Sequence, residues 1–447
     1  MKKYLFVLIV LVLGTSLFAQ NKPEFKPEYK IGGVVFTGWT YNMDNADLPA
    51  TILLDSTQID PVYGSAPKKN QFETGKNSFY FDRAYINIKA SLTPQISARL
   101  TPDVYSVKDG NGATQYFTQM KYAFLDYTPL NTDDGLALTF SFGLIPNQWI
   151  SNVEKYYGYR GVAKTFTDYS WVTGQKISKN PVSGKAYSVA TSTGSFFSSA
   201  DLGMTTKLSL PKKYADLYLS VLNGNGFRNE GFDQNRFKDF MATLFVYPLA
   251  GQIAKNTDKM KSMKKNRLDG ITDFTLGGFT YLGRQTSNEY GVVNGGQYKT
   301  SKFGGMLNFK YNFTNFGSVK VGGEYSVYTN QVPSNPLTPT TDSTYSAGGL
   351  STWLEFNPPV EQLNDKLFLT FRFDMFKAQN TDNGTTAFYD KGKQSLMIIG
   401  LMFKPASILT LGVSYQSTSY DQNYVVKYDG TTASSLNRFF FHTILDF

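Results

Sequence analysis

Basic side chains are concentrated in one polar stretch of the sequence, residues 146–185. Only two acidic residues, Glu154 and Asp168, accompany them. The basic members are Lys155, Arg160, Lys164, Lys176, Lys179 and Lys185. Ammonium and guanidinium groups held in a confined space raise the local concentration of anions. The stretch therefore indicates a place that attracts small anions, provided that the fold encloses it.

Catalytic and metal-binding patterns are sparse. The single histidine, His442, shares a strand face with Asp446, but the sequence assigns no nucleophile to this pair. One histidine and no cysteine leave only scattered carboxylates as metal ligands, with Ca²⁺ sites in carboxylate-rich loops left open. The glycines of 224–227 and 292–297 are typical of turns. We predict no enzyme activity, no cofactor and no metal centre.

The elements that position these residues are β-strands. In KLFLTFRFDMFK (366–377), Leu369, Phe371 and Met375 alternate with Arg372 and Asp374, a period of two. Similar segments recur along the chain, separated by turn residues. We predict sixteen strands, near 30–41, 79–90, 95–106, 115–127, 136–145, 200–210, 214–222, 237–248, 271–283, 301–313, 318–329, 346–357, 366–377, 394–404, 407–419 and 437–447.

The connections between these strands alternate in length. Short ones such as 91–95 and 314–318 carry turn residues, and long polar ones include 42–78 and 146–199. This alternation is typical of an all-β transmembrane antiparallel β-barrel with short periplasmic turns and long external loops. The connection 249–270 breaks the pattern, because it should be short. A shifted register or a small periplasmic helix would explain it.

The two ends of the chain suggest export and membrane insertion. Residues 1–19 have the charged, apolar and small-residue regions of a signal peptide, which leaves 20–447 as one barrel domain. Removal of residues 1–19 leaves 42 Lys and Arg against 35 Asp and Glu. At the other end, Phe441, Leu445 and Phe447 lie on one strand face. This face should meet lipid, with Phe447 at the interfacial aromatic girdle.

The polar faces of the strands give a nearly balanced lumen. Taken as inward-facing, they carry ten basic residues: Arg83, Lys89, Arg99, Lys121, Lys207, Lys302, Lys310, Lys320, Arg372 and Arg438. They also carry nine acidic ones: Asp103, Asp201, Asp216, Asp239, Asp273, Glu324, Glu355, Asp374 and Asp446. Many of these charges should pair across neighbouring strands, so the wall alone sets no strong preference.

A family resemblance supplements this interpretation. The stretch FYFDRAYINIKASLTPQISARLTPDV, followed by KYAFLDYTP and LTFSFGLIPNQWI, resembles the phosphate-selective porin O/P-type family of Gram-negative outer-membrane porins. Similarity is clearest over about 79–170. The terminal Phe447, with Leu445 and Phe441 behind it, also resembles the barrel-assembly signal of such proteins. The resemblance implies a general or anion-preferring diffusion channel, usually a homotrimer. By the same analogy, 146–199 is the third external loop, which folds inward and narrows the pore.

We therefore expect an outer-membrane porin for small hydrophilic solutes with a weak, phosphate-like anion preference. The residues that we expect to set this preference are Lys155, Arg160, Lys164, Lys176, Arg83, Arg99 and Lys121. Expected partners are outer-membrane lipid, lipopolysaccharide and the barrel-assembly machinery, with no nucleic acid despite the basic run 255–267. If the loop is instead solvated, its lysines would contact lipopolysaccharide.

Two alternatives are a transporter of hydrophobic substrates and an adhesive or structural barrel. The short segment before the first strand argues against a plugged transporter and against an N-terminal hatch. Solute conduction would distinguish the three functions.

Overall fold

The computed structural model describes residues 25–43, 77–108, 114–179, 186–227, 237–262, 269–286, 297–313, 316–333, 342–363, 365–380, 392–421, 425–426 and 432–447. The predicted signal peptide, 1–19, lies outside them. Twenty strands fall within these ranges, and sixteen of them close into one antiparallel barrel. The predicted fold class is confirmed, and each of the sixteen predicted strands matches one barrel strand.

The sixteen barrel strands are hydrogen-bonded in chain order around the barrel. They are β1 (Glu28–Asn42), β2 (Asn77–Ser91), β3 (Ile96–Lys108), β4 (Thr114–Asn131), β5 (Ala137–Pro146), β8 (Ala200–Ser209), β9 (Ala215–Leu222), β10 (Asp239–Val246), β11 (Gly270–Thr286), β12 (Gln297–Phe313), β13 (Gly317–Pro333), β14 (Asp342–Asn357), β15 (Leu367–Asn380), β16 (Gly392–Ala406), β17 (Leu409–Tyr420) and β20 (Ser435–Asp446).

The barrel closes between its first and last strands. β1 and β20 pair in antiparallel register from Val34 opposite Asp446 to Asn42 opposite Arg438. The backbone of Phe447 extends this pairing, since its N–H donates to the Gly33 carbonyl at 2.9 Å and its carbonyl accepts from the Gly33 N–H at 2.7 Å. Closure leaves neither of these strands with an open edge.

Alternation sorts the side chains of each strand between two environments. On β15, Leu369, Phe371 and Met375 point outward and are 48%, 39% and 49% exposed. Arg372 and Asp374, which lie on the opposite face of the strand, point inward and are buried. Because the outward members of many strands are large and apolar, the barrel carries an apolar outer surface, as a lipid-facing barrel requires.

Four further strands and two helices lie in the connections. β6 (Trp171–Lys179) pairs with β7 (Ala186–Gly194), and β18 (Val425–Val426) pairs with β19 (Thr432–Ala433), as two separate hairpins. The helices are α1 (Gln148–Tyr157) and α2 (Ala250–Ser262). Helix α2 occupies the irregular connection 249–270, so a helix is the correct explanation of that exception. Within the described ranges, neither helix is long and apolar enough to cross a membrane.

Candidate functional site

The connection between β5 and β8 begins with helix α1, whose ends are capped. The Asn147 side chain accepts a hydrogen bond from the Ile150 N–H at 3.1 Å, and Gly158 ends the helix with φ 82°. The Gly158 N–H donates to the Glu154 carbonyl at 2.8 Å. These caps satisfy backbone groups that a helix end otherwise leaves unpaired. One face of α1 is apolar and buried, with Trp149 at its centre.

The segment from Asn147 to Trp171 packs by its aromatic rings against inward-facing wall residues. Trp149 lies 4.6 Å from Phe279 on β11 and 5.8 Å from Phe245 on β10, measured between ring centroids. At the other end of the segment, Trp171 stacks on Phe376 of β15 at 5.1 Å with 3° between the planes. Both tryptophans are fully buried. The segment is therefore held between two aromatic contacts on different parts of the wall.

A single carboxylate on β13 binds this segment at three points. Glu324 Oε1 accepts from the Phe166 N–H at 2.8 Å, while Oε2 accepts from Trp149 Nε1 at 3.1 Å and from Thr167 Oγ1 at 3.4 Å. The Glu324 side chain is 1% exposed. Charged hydrogen bonds in such a buried place are stronger than neutral ones. Glu324 thus joins the start and the middle of the segment to the wall.

Further contacts reach two strands that follow β13 in the barrel order. Arg372 on β15 donates from Nη1 to the Lys164 carbonyl at 2.6 Å, and its Nη2 lies 2.6 Å from Asp374 Oδ2. Gln416 on β17 donates to the Val162 carbonyl at 3.2 Å. The segment is consequently tied to the wall through its own backbone as well as through its side chains.

Tyr159 reaches the wall on β14. Its hydroxyl donates to Glu355, which also forms an ion pair with Lys320 at 2.8 Å. Burial raises the pKa of Tyr159, and the adjacent Glu355 carboxylate raises it further. The hydroxyl therefore stays protonated and remains a donor.

The basic residues of this segment differ in their surroundings. Arg160 forms ion pairs with Glu154 at 2.8 Å and with Asp168 at 2.9 Å, and Lys164 lies 3.8 Å from Asp168. Burial alone would lower the pKa of Arg160, but the two carboxylates raise it well above its ordinary value. Lys155 is exposed, with its Nζ 5.6 Å from the Tyr156 ring. Two of the three cations therefore have acidic partners.

The remaining basic residues of 146–185 lie beyond this segment. Lys176 and Lys179 belong to β6, where they pair with Val189 and Ala186 of β7. Lys185 lies outside the described residues. Only part of the positive charge counted in the sequence therefore belongs to the segment that packs against the wall.

The predicted wall cations on β2, β3 and β4 gather around tyrosines. Arg83 Nη1 and Lys121 Nζ both donate to the Tyr85 hydroxyl, at 3.1 and 2.9 Å. Arg99 lies over the Tyr122 ring at 4.7 Å and donates to Asn87 Oδ1 at 2.7 Å. Arg83 also forms an ion pair with Asp82 at 3.2 Å. The structure thus brings Arg83 and Lys121 together on one hydroxyl, while Arg99 packs on a neighbouring ring.

A polar cavity of about 320 Å³ lies between this segment and the barrel wall. Its basic lining residues are Arg83, Lys164 and Lys302, and its acidic ones are Asp168 and Asp201. Hydroxyl groups of Ser170, Ser195, Ser198, Ser199 and Ser220 supply much of the remaining polar lining. Hydroxyls and charged groups of both signs suit the passage or binding of hydrated solutes.

The sequence analysis placed Lys302 in the lumen but did not select it as a site residue. On β12 it donates to the Phe196 carbonyl, and its Nζ lies 4.8 Å from both the Phe197 and Tyr281 rings. The signal for Lys302 that the sequence offered was its position on the polar face of a strand. The contacts with 196–197 depend on how the long connection returns to β8, which strand alternation does not predict.

His442 has structural partners. Its Nδ1 lies 3.0 Å from the Tyr80 hydroxyl and its Nε2 lies 2.7 Å from the Ser414 hydroxyl, and the ring stacks on Phe440. The side chain is 2% exposed. The two ring nitrogens thus bond to side chains of β2 and β17, which fixes the histidine in the wall next to the β1–β20 closure.

The three residues of the predicted assembly signal point outward. Phe441, Leu445 and Phe447 are 40%, 37% and 59% exposed. They extend the apolar outer surface to the end of β20.

Comparisons with known proteins agree with this architecture. The chain matches the outer membrane channel DcaP of Acinetobacter baumannii with a TM-score of 0.52 and 12% identity, over 96% of this chain and 100% of that chain. An anion-selective porin from Comamonas acidovorans matches with a TM-score of 0.49 and 8% identity, over 94% and 100%. Outer-membrane expressed OmpT of Vibrio cholerae matches with a TM-score of 0.49 and 11% identity, over 96% and 100%.

No protein-family model matches the chain, and no curated protein sequence matches it. The likeness to DcaP bears on the fold alone. Together with the closed order of sixteen antiparallel strands, it shows the fold: a closed β-barrel like that of an outer-membrane channel.

Proposed function

We propose that the chain is an outer-membrane porin through which small hydrophilic solutes diffuse passively, with a weak preference for anions. The observation that carries this proposal is the polar cavity between the inner wall and the segment 147–171. Three basic and two acidic residues line it. A small positive excess at short range favours anions only slightly.

In this proposal the connection 146–199 is the constriction of the pore. The contacts of Trp149, Phe166 and Trp171 with inward-facing wall residues support this role. The phosphate-like preference and membership of the phosphate-selective porin family are part of the proposal and rest on the sequence resemblance.

The test is single-channel recording of refolded protein in planar bilayers, with the reversal potential measured across a KCl gradient. We expect stable conductance with chloride slightly favoured. Replacing Arg83 and Lys164 by Gln should move the reversal potential towards the potassium side, because both side chains line the cavity. Replacing the exposed Lys377 and Lys393 by Gln is the matched control, which removes two charges from the outer faces of β15 and β16 and should leave selectivity unchanged.

Two outcomes distinguish the alternatives. Conductance that favours potassium in the unmodified protein would keep the channel and contradict the anion preference. A folded barrel that conducts no ions would contradict the porin function and favour hydrophobic transport or adhesion. A Lys155→Gln variant tests whether that exposed lysine also contributes, as the sequence analysis expected.

The proposal extends to assembly and location. We infer export by a signal peptide at 1–19, insertion in the Gram-negative outer membrane through its barrel-assembly machinery, contact with lipopolysaccharide, and a homotrimer. Deleting Phe447 should slow insertion, because a terminal outward aromatic is part of the proposed assembly signal. Refolding yield would measure the effect of this deletion on insertion. Crosslinking of the purified protein would test the homotrimer.

A further inference from the structure

Positive charge is concentrated on two neighbouring connections at the short-turn end of the barrel. The turn between β8 and β9 contains Lys212 and Lys213. Helix α2, in the connection between β10 and β11, contains Lys255, Lys259 and Lys261, against Asp258. We call the β8–β9 turn and helix α2 together the basic corner.

The other short connections at this end have the opposite character. The turns 92–95, 314–316 and 407–408 contain no charged residue. The turn 132–136 contains two aspartates, and 358–366 contains two acidic residues and one lysine. Among the short connections at this end, a net positive charge is therefore found only in the basic corner.

The backbone of the β8–β9 turn holds its lysines in a costly conformation. Lys212 and Lys213 have φ values of 54° and 58°, in the left-handed region that favours glycine or asparagine. The Lys212 N–H donates to the Asp134 carbonyl of the neighbouring turn at 2.6 Å. Both lysines are exposed, so core packing does not explain their presence at positions where glycine would be unstrained.

The basic corner lies at the lipid-facing rim. Tyr214, which follows the two lysines, is 43% exposed and points outward, because the next residue, Ala215, points inward and is buried. Helix α2 begins beside it, since a Cβ on Gly251 would lie 3.2 Å from the Tyr214 hydroxyl. Lys255 and Lys259 on this helix are exposed. An outward tyrosine beside exposed lysines is typical of a membrane–water interface.

We propose that the basic corner binds the headgroups of anionic phospholipids in the leaflet next to the short-turn end. This inference rests on the proposed function, which places that end at the periplasmic surface of the outer membrane. Lysines near a membrane surface attract anionic headgroups over about one Debye length. The sector without basic turns has no such attraction, so the anionic lipid would gather beside β8–β11.

The test is native mass spectrometry of the purified full-length barrel, which counts retained lipids in a mixture of phosphatidylglycerol and phosphatidylethanolamine. The variant replaces Lys212 and Lys213 by Asn, which tolerates the left-handed conformation, and Lys255 and Lys259 by Gln. We expect the ratio of bound phosphatidylglycerol to phosphatidylethanolamine to fall at least severalfold.

The matched control neutralises exposed lysines elsewhere, Lys30, Lys366, Lys377 and Lys393, and should keep the ratio of the unmodified protein. An equal fall in the control would overturn the proposal, because net charge would then explain the effect. No lipid preference in the unmodified protein would also overturn it. If the unmodified barrel shows no lipid preference but co-sediments with purified peptidoglycan, and the variant does not, the basic corner binds that polymer instead.

Conductance of the same samples separates this inference from the porin proposal. A variant that conducts normally is folded, so a loss of lipid preference then belongs to the lysines. An unmodified protein that retains phosphatidylglycerol but conducts no ions would contradict the channel function and leave the lipid site standing.

Discussion

The three hydrogen bonds of Glu324 give a sharp prediction about what holds the inward segment in place. In Glu324→Gln the side chain keeps its shape, but one carboxylate oxygen becomes an NH₂ group. That group must face either the Phe166 N–H or the Trp149 Nε1–H, which are both donors. Because the site is buried, the displaced donor has no water to bond with.

The magnitude follows from this geometry. Losing a hydrogen bond to a charged acceptor and leaving a buried donor unpaired costs about 2–4 kcal/mol. At about 1.4 kcal/mol for each factor of ten, the population with a detached segment should rise about 30-fold to 1,000-fold. Thr167→Val removes only the 3.4 Å bond and should have a much smaller effect.

Acrylamide quenching of tryptophan fluorescence in the refolded barrel measures this detachment. Trp149 and Trp171 are fully buried when the segment is in place, so detachment makes both accessible to the quencher. Single-channel recordings should show additional conductance levels in the same variant. Glu28→Gln, at a side chain that is 68% exposed, is the control and should match the unmodified protein.

Unchanged quenching and conductance in the Glu324→Gln variant would contradict this prediction. It would mean that the carboxyl is already protonated, so that an amide replaces it without loss, or that the aromatic contacts hold the segment alone. Glu324→Ala then separates these two explanations, since it removes all three bonds and should release the segment only if the bonds matter.

Further predictions concern packing and buried charge. Gly161→Val should lower stability by about 1–3 kcal/mol because a Cβ there lies within 2.8 Å of two side chains, whereas a Cβ in Gly278→Ala meets only the Gly304 carbonyl at 3.7 Å, an ordinary van der Waals contact, and should be neutral; denaturant unfolding measures both. Asp374→Asn should cost about 3–5 kcal/mol by leaving the buried Arg372 guanidinium without its anion, and Arg372→Met with Asp374→Leu should recover part of that loss in the same assay. His442→Phe should lose about 1–3 kcal/mol from its two hydrogen bonds while ion conductance stays unchanged, which a catalytic or gating role for the ring would contradict.

The barrel could be predicted from the sequence because strand alternation is a local signal. Each strand has an apolar and a polar face, and a period of two is visible without knowledge of the partners. The alternation also placed residues such as Arg372 and Asp374 on the inward face, where they are buried. The helix α2 was one of two explanations left open for 249–270, since a 3.6-residue period there is weak.

Helix α1 was missed although its signals are present. Asn147 precedes an apolar pattern of Trp149, Ile150 and Val153, and Gly158 follows it, which is the usual signature of a capped helix. The sequence analysis treated the whole connection 146–199 as a loop. The contacts of this helix with Glu324 could not be predicted, because they join positions more than 150 residues apart across the lumen. Such contacts produce no periodic pattern in the sequence.

The positive charge of the connection 146–199 is weaker in the folded chain than the count of basic residues in the sequence suggests. Arg160 and Lys164 form ion pairs with Glu154 and Asp168, so much of their charge is neutralised within the segment itself. Arg83 and Lys302, from opposite stretches of the wall, line the same cavity. Because a nearby counter-charge cancels most of a cation's field, and Arg83 is itself paired with Asp82, the proposed anion preference should depend on Lys302 at least as much as on the connection. The small basic excess that results is the physical reason to expect a weak preference and not a strict one.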